Sequence, residues 1–132
     1  MNRMNVYFYL LIALCVGVVG GVVVFVVVLP MGYCSATVVK TVLSQDNTRK
    51  MVVFQTGCGA TTELYSHVGV FSPEKEISTD DAGNVTVLVE AAALDAAWVN
   101  PKTLLVTYGG SDVKVLKQER KIEDIQVQYQ IH

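Results

Sequence analysis

An uninterrupted apolar stretch near the start of the chain constrains its folding more than any other feature. Residues 6–29 include no charged residue and no Asn, Gln, Ser, Thr or His. As a helix they would extend about 36 Å at roughly 1.5 Å per residue, enough to cross a hydrocarbon core of about 30 Å. Valine favours strands in water, but in lipid only a helix pairs the backbone of an isolated segment. We therefore expect a transmembrane anchor over residues 1–32 and a separate domain over residues 33–132.

Two other N-terminal signals fit this stretch less well. A cleaved signal peptide has a shorter apolar core, of roughly 7–15 residues, although Cys34-Ser35-Ala36 resembles a small-x-small cleavage site. A lipidated cysteine would follow a small residue, whereas Cys15 follows Leu14 and Cys34 follows Tyr33. A retained anchor is therefore expected. Arg3 is the only charged residue before Lys40, and the positive-inside bias then predicts a cytoplasmic N-terminus and an external C-terminal domain.

Small residues recur along one face of the predicted helix. Ala13, Gly17 and Gly21 are spaced four residues apart. Such stripes let helices approach closely in membranes, so they indicate either a homodimer or contact with another membrane protein. The alternative is that Gly and Ala are simply common in transmembrane helices.

The rest of the chain has the pattern of β-strands. Apolar and polar residues alternate in residues 85–89 and 125–131, and shorter β-type runs occupy residues 37–43, 50–55, 67–71 and 113–117. Residues 95–108 are predicted to form a hairpin that buries Trp98, residues 90–97 could instead include a helical turn, and residues 117–124 are expected to be a solvated turn. The sequence therefore predicts a mainly β fold: one transmembrane helix and an antiparallel meander of six to eight strands, packed as a sandwich or curled sheet.

Charge argues against a nucleic-acid partner. The chain carries ten basic and twelve acidic residues, and its longest basic clusters are the pairs Arg49-Lys50 and Arg120-Lys121. Nucleic-acid binding normally needs a basic patch or stripe. No nucleic-acid partner is therefore expected. No cofactor is expected either.

The cysteines allow one structural and two chemical interpretations. Cys15 lies in the apolar stretch, whereas Cys34 and Cys58 lie beyond it and would form a disulfide in an oxidising compartment. Alternatively, Cys58 could be a nucleophile with His67 as its base, in a thiol enzyme or redox protein. Zinc is a weaker alternative because Cys34, Cys58 and His67 lack paired ligand spacing.

A glycine-rich motif surrounds the second of these cysteines. It consists of Gly57, Cys58, Gly59, Ala60, Thr61 and Thr62. Glycines permit positive φ angles or close backbone approach, so a tight turn beside a disulfide is expected. An anion cradle built from backbone amides is the alternative, although no Lys follows as in a P-loop.

At this motif the chain resembles a family of small bacterial extracytoplasmic proteins of unknown function, membrane-anchored or lipoprotein-like, that share Cys-Gly-Ala-Thr-Thr. The resemblance extends over about residues 34–129, and the matching positions are Cys34, residues 44–47, 52–54, 58–62 and 67–70, Trp98 and residues 104–108. The chain departs from the pattern in its 44–47 turn, which lacks Pro and Gly, and in its lack of a lipobox. The resemblance implies an envelope location and a β domain compatible with a disulfide, and it brings no catalytic residues.

These observations lead to one functional expectation and two alternatives. We expect a single-pass protein of the bacterial inner membrane whose periplasmic domain binds another envelope protein or completes a membrane complex, without catalysis. The alternatives are the thiol enzyme based on Cys58 and His67, and an immunity or inhibitor protein.

Overall fold

The computed structural model describes residues 2–28, 33–59, 62–89, 93–110 and 112–132, with side chains in the helix as far as Phe25. The chain forms two compact units, Met1–Tyr33 and Cys34–His132. The fold is mainly β with one apolar helix, as the sequence predicts.

The first unit is a single helix, α1 (Arg3–Val28). Its apolar side chains are exposed, including Leu14 at 66% and Val19 at 62%. By length and composition the helix could cross a membrane, and a signal sequence would satisfy the same criteria.

The described residues of the second unit form nine strands in two sheets. The strands are β1 (Cys34–Leu43), β2 (Lys50–Cys58), β3 (Tyr65–Phe71), β4 (Thr86–Val89), β5 (Leu94–Asn100), β6 (Thr103–Tyr108), β7 (Lys114–Gln118), β8 (Lys121–Ile122) and β9 (Ile125–Ile131). The first sheet has the order β1-β2-β3-β4-β7 and the second β5-β6-β9-β8.

Three details differ from the sequence-based expectation. Strands β6 and β9 pair in parallel, whereas the other pairings are antiparallel. The expected turn at residues 117–124 contains the short strand β8, which pairs with the start of β9. The 90–97 segment contributes Leu94 and the residues after it to β5, and residues 90–92 lie outside the described part of the chain.

The main core lies between the two sheets. Alternating residues of β2, β3 and β4 face alternating residues of β5, β6 and β9, because successive side chains of a strand point to opposite faces. The buried side chains of this core are Met51, Val53, Val68, Val70, Val85, Leu88, Ala96, Leu104, Val106, Tyr108, Ile125 and Val127.

The first sheet also buries side chains on its other face. Val52, Phe54, His67, Val87 and Val89 are each at most 9% exposed, and all lie on the face opposite the main core. Burial on both faces explains why β2 contains four consecutive apolar residues, Met51–Phe54, and does not show simple alternation. This second buried face places His67 in the interior.

Candidate functional site

A disulfide joins the two cysteines of the β domain, as predicted. Cys34 and Cys58 are directly opposite each other at one end of the β1–β2 pairing, with a Sγ–Sγ distance of 2.02 Å. Cys58 therefore has no free thiol in this structure. The free cysteine among the described residues is Cys15, which is exposed on α1.

The glycine-rich motif forms a turn directly after the disulfide. Gly59 has a φ of 87°, a conformation that glycine adopts at little cost. The amide of Cys58 donates to Thr62 Oγ1 at 3.0 Å, and that hydroxyl donates to the carbonyl of Gly59 at 3.1 Å. Ala60 and Thr61 lie outside the described residues. Because the Cys58 amide is used within the turn, the described geometry supports the structural interpretation of this motif.

Gly57, the first residue of the motif, lies in β2 and has a side-chain neighbour from beyond the turn. A Cβ built at Gly57 would lie 3.4 Å from Leu64 Cδ1. This is an ordinary van der Waals contact with the end of a flexible side chain, so the space around Gly57 does not by itself require glycine.

His67 is buried in β3, and both of its ring nitrogens have partners. The ring stacks on Phe54 with a centroid distance of 4.7 Å and an interplanar angle of 13°. Nδ1 accepts a hydrogen bond from the amide of Gly83 at 3.2 Å, and Nε2 lies 2.7 Å from Thr56 Oγ1. Since Nδ1 is an acceptor, the neutral ring carries its proton on Nε2 and donates it to Thr56. Burial lowers the pKa of His67 below its ordinary value of 6.5, which favours this neutral form.

The chemical interpretations of the cysteines receive no support from this geometry. Thiol catalysis needs a thiolate beside a base. Here Cys58 is joined to Cys34 by a disulfide, and the ring nitrogens of His67 are hydrogen-bonded to Thr56 and Gly83. A zinc site would need the same sulfur atoms as thiolates. Within the described residues, no group of three or more His, Cys, Asp or Glu side chains is placed to hold a metal.

The small-residue stripe of Ala13, Gly17 and Gly21 lies on α1. A Cβ built at Gly17 or Gly21 would meet no atom within 4 Å, and Ala13 is exposed. Helix association through this face remains a prediction.

The described residues form a charged cleft that the sequence pattern did not indicate. It has a volume of about 240 Å³ and is bounded by Arg49, Phe71, Asn84 and Glu123. The Arg49 guanidinium lies 2.7 Å from Glu123 and 3.1 Å from Asp124, so its charge is already compensated. These residues are far apart in sequence, and no local spacing could have indicated their pairing.

Comparison of the chain with protein-family models, with curated proteins and with solved structures finds no match. The fold and site thus define the protein only by class: a disulfide-bonded, two-sheet β domain that follows a long apolar helix.

Proposed function

We propose that this protein is a membrane-anchored, extracytoplasmic interaction module or an accessory subunit of a membrane complex. One observation carries the proposal: the exposed, charge-poor helix α1 (Arg3–Val28) is followed, beginning at Cys34, by a domain closed by a disulfide. Exposed apolar side chains along a helix are stable in lipid and costly in water. Disulfides persist in oxidising compartments, which agrees with the topology suggested by Arg3.

A binding role is supported by the edge strand β1. Val38, Val39 and Leu43 are 48%, 58% and 48% exposed, in a strand that, among the described residues, pairs on one side only. Exposed apolar groups on an unpaired edge favour association with another polypeptide. The partner in this proposal is another protein of the membrane or envelope.

The location is tested by expressing the full chain with a C-terminal tag in bacteria. We expect alkaline carbonate to leave the uncleaved chain in the membrane, and protease added to spheroplasts to digest the domain. A matched control replaces the helix with a cleavable signal peptide, which should release a soluble domain. A full-length chain that is freely soluble, or a tag that is protected from external protease, would refute the location.

The binding role is tested by crosslinking in intact cells followed by mild detergent extraction. We expect a discrete larger complex that Val39→Lys weakens, because the charge is placed on the exposed edge of β1. Leu116→Lys on β7 is the matched control, since Leu116 is 51% exposed on the opposite edge strand of the same sheet. A chain that remains a monomer, or equal loss with both variants, would contradict the proposal.

A further inference from the structure

We propose that the Cys34–Cys58 disulfide is a mechanical clamp that passes tension from the helix directly to β2 and removes β1 from the path of the load. The inference rests on the proposed function, in which the helix is held by the membrane while the domain is held by a partner. The proposed role of the disulfide is mechanical: it determines which strand carries tension.

The position of the bond is the first argument. Cys34 is the first residue of β1 and lies six residues after Val28, the last residue of the helix. Tension applied from the helix side therefore reaches Cys34 before any other residue of the sheets. Its bonded partner Cys58 is the last residue of β2 and is directly opposite in the register. The covalent bond thus offers a route into the sheet at its first residue pair.

The weak attachment of β1 is the second argument. Strand β1 is at the edge of its sheet, so within the described part of the chain its backbone is paired with β2 alone. That pairing is interrupted by a register shift between Val38 and Lys40. Among the described residues, the polar contacts of β1 with the other sheet involve its far half: Lys40 Nζ lies 2.7 Å from Asp95 Oδ1, and Trp98 Nε1 donates to the Val42 carbonyl at 3.1 Å. Without the disulfide, tension at Cys34 would break the β1–β2 hydrogen bonds successively, beginning at that end.

The strong attachment of β2 is the third argument. It is paired on both sides, with β1 and with β3. Four consecutive side chains, Met51, Val52, Val53 and Phe54, are at most 2% exposed and pack on both faces of the sheet. Tension delivered to Cys58 is therefore resisted by the pairing of β2 with β3 and by the core.

The experiment is single-molecule stretching of the full chain in bicelles, with handles at both ends and Cys15→Ser present to leave only the two clamp cysteines. The oxidised domain should unfold without an earlier step. After reduction by a phosphine, the same molecule should first lengthen at lower force by roughly 30–50 Å as Cys34–Arg49 detaches, given about 3.5 Å per extended residue. The total extension of the chain on complete unfolding should also increase by roughly 80 Å, because reduction releases the 24 positions between Cys34 and Cys58. This increase verifies that the bond was reduced.

The double variant Cys34→Ser with Cys58→Ser should show the same early step without reductant. If that variant does not fold, the proposal is tested by stretching the same Cys15→Ser molecule before and after reduction. An oxidised domain that already shows the early step, or a reduced domain that unfolds at unchanged force without it, overturns the clamp.

Failure of the clamp and failure of the proposed function have separate signatures. Stretching between two handles loads Cys34 whether or not the helix resides in a membrane in cells. Carbonate extraction of the native protein reports the membrane location independently. An absent early step in a chain that fractionates with membranes refutes the clamp alone.

Discussion

Gly83 lies so close to the backbone of two strands that a single added methyl group should destabilise the domain. A Cβ at this position would lie 2.5 Å from the carbonyl oxygen of Thr86, 2.6 Å from that of Val68 and 3.0 Å from the Val68 nitrogen. These are backbone atoms of paired strands, which cannot rotate away as the end of a flexible side chain could. Gly83→Ala must therefore displace the segment before β4.

The expected cost combines two effects. Overpacking of this kind costs about 1–3 kcal/mol. Displacement of residue 83 also weakens the hydrogen bond from its amide to His67 Nδ1, a contribution of about 1 kcal/mol. We therefore expect a loss of about 2–4 kcal/mol, which for a domain of roughly 100 residues lowers the melting temperature by about 10–30 °C.

The assay is thermal unfolding of the full chain in mild detergent, monitored by the fluorescence of Trp98, the single tryptophan. Gly109→Ala is the matched control, because its Cβ would lie an ordinary 3.6 Å from Ala93 Cβ. We expect the control to change stability by less than about 0.5 kcal/mol. The steric argument fails if Gly83→Ala melts within about 2 °C of the wild type, or if Gly109→Ala loses as much.

Three further predictions concern the thermal stability of the domain. Because burial lowers the pKa of His67 below 6.5, the unfolded chain takes up a proton at higher pH than the folded chain, so stability should fall as pH drops below about 6.5. His67→Gln should weaken that dependence, and an equal slope in both proteins would contradict it. Trp98→Phe should cost about 1 kcal/mol through the lost bond to Val42, measured by circular dichroism; no loss would show that the bond contributes little. Reduction of Cys34–Cys58 should cost up to about 3 kcal/mol by chain entropy, and an unchanged melting temperature would exclude that contribution.

The second buried face of the first sheet shows the limit of a pattern-based interpretation. The sequence pattern assigned His67 to the start of a strand, and β3 does contain it. Its partners come from Thr56 on the neighbouring strand and from Gly83, sixteen positions away. A single histidine in a strand carries no signal for such partners, so its buried and neutral state could not be predicted.

The disulfide shows the opposite case. Only two cysteines lie beyond the apolar stretch, so an oxidising compartment leaves one intrachain pairing, and the structure contains it. What the sequence lacked was the register that makes Cys34 and Cys58 direct neighbours at the end of an edge strand. The clamp proposal depends on that register.

The sequence alone determined the apolar helix, the strand-rich domain and the cysteine pair, because hydrophobic periodicity and residue type report local conformation and burial directly. Tertiary structure alone decided that β6 and β9 pair in parallel, that Arg49 meets Glu123 and Asp124, and that the central strands of one sheet are buried on both faces. The physical reason is that alternation in a strand specifies which side chains point inward but not which strand lies beside it. Neighbours are chosen by the packing of the whole core.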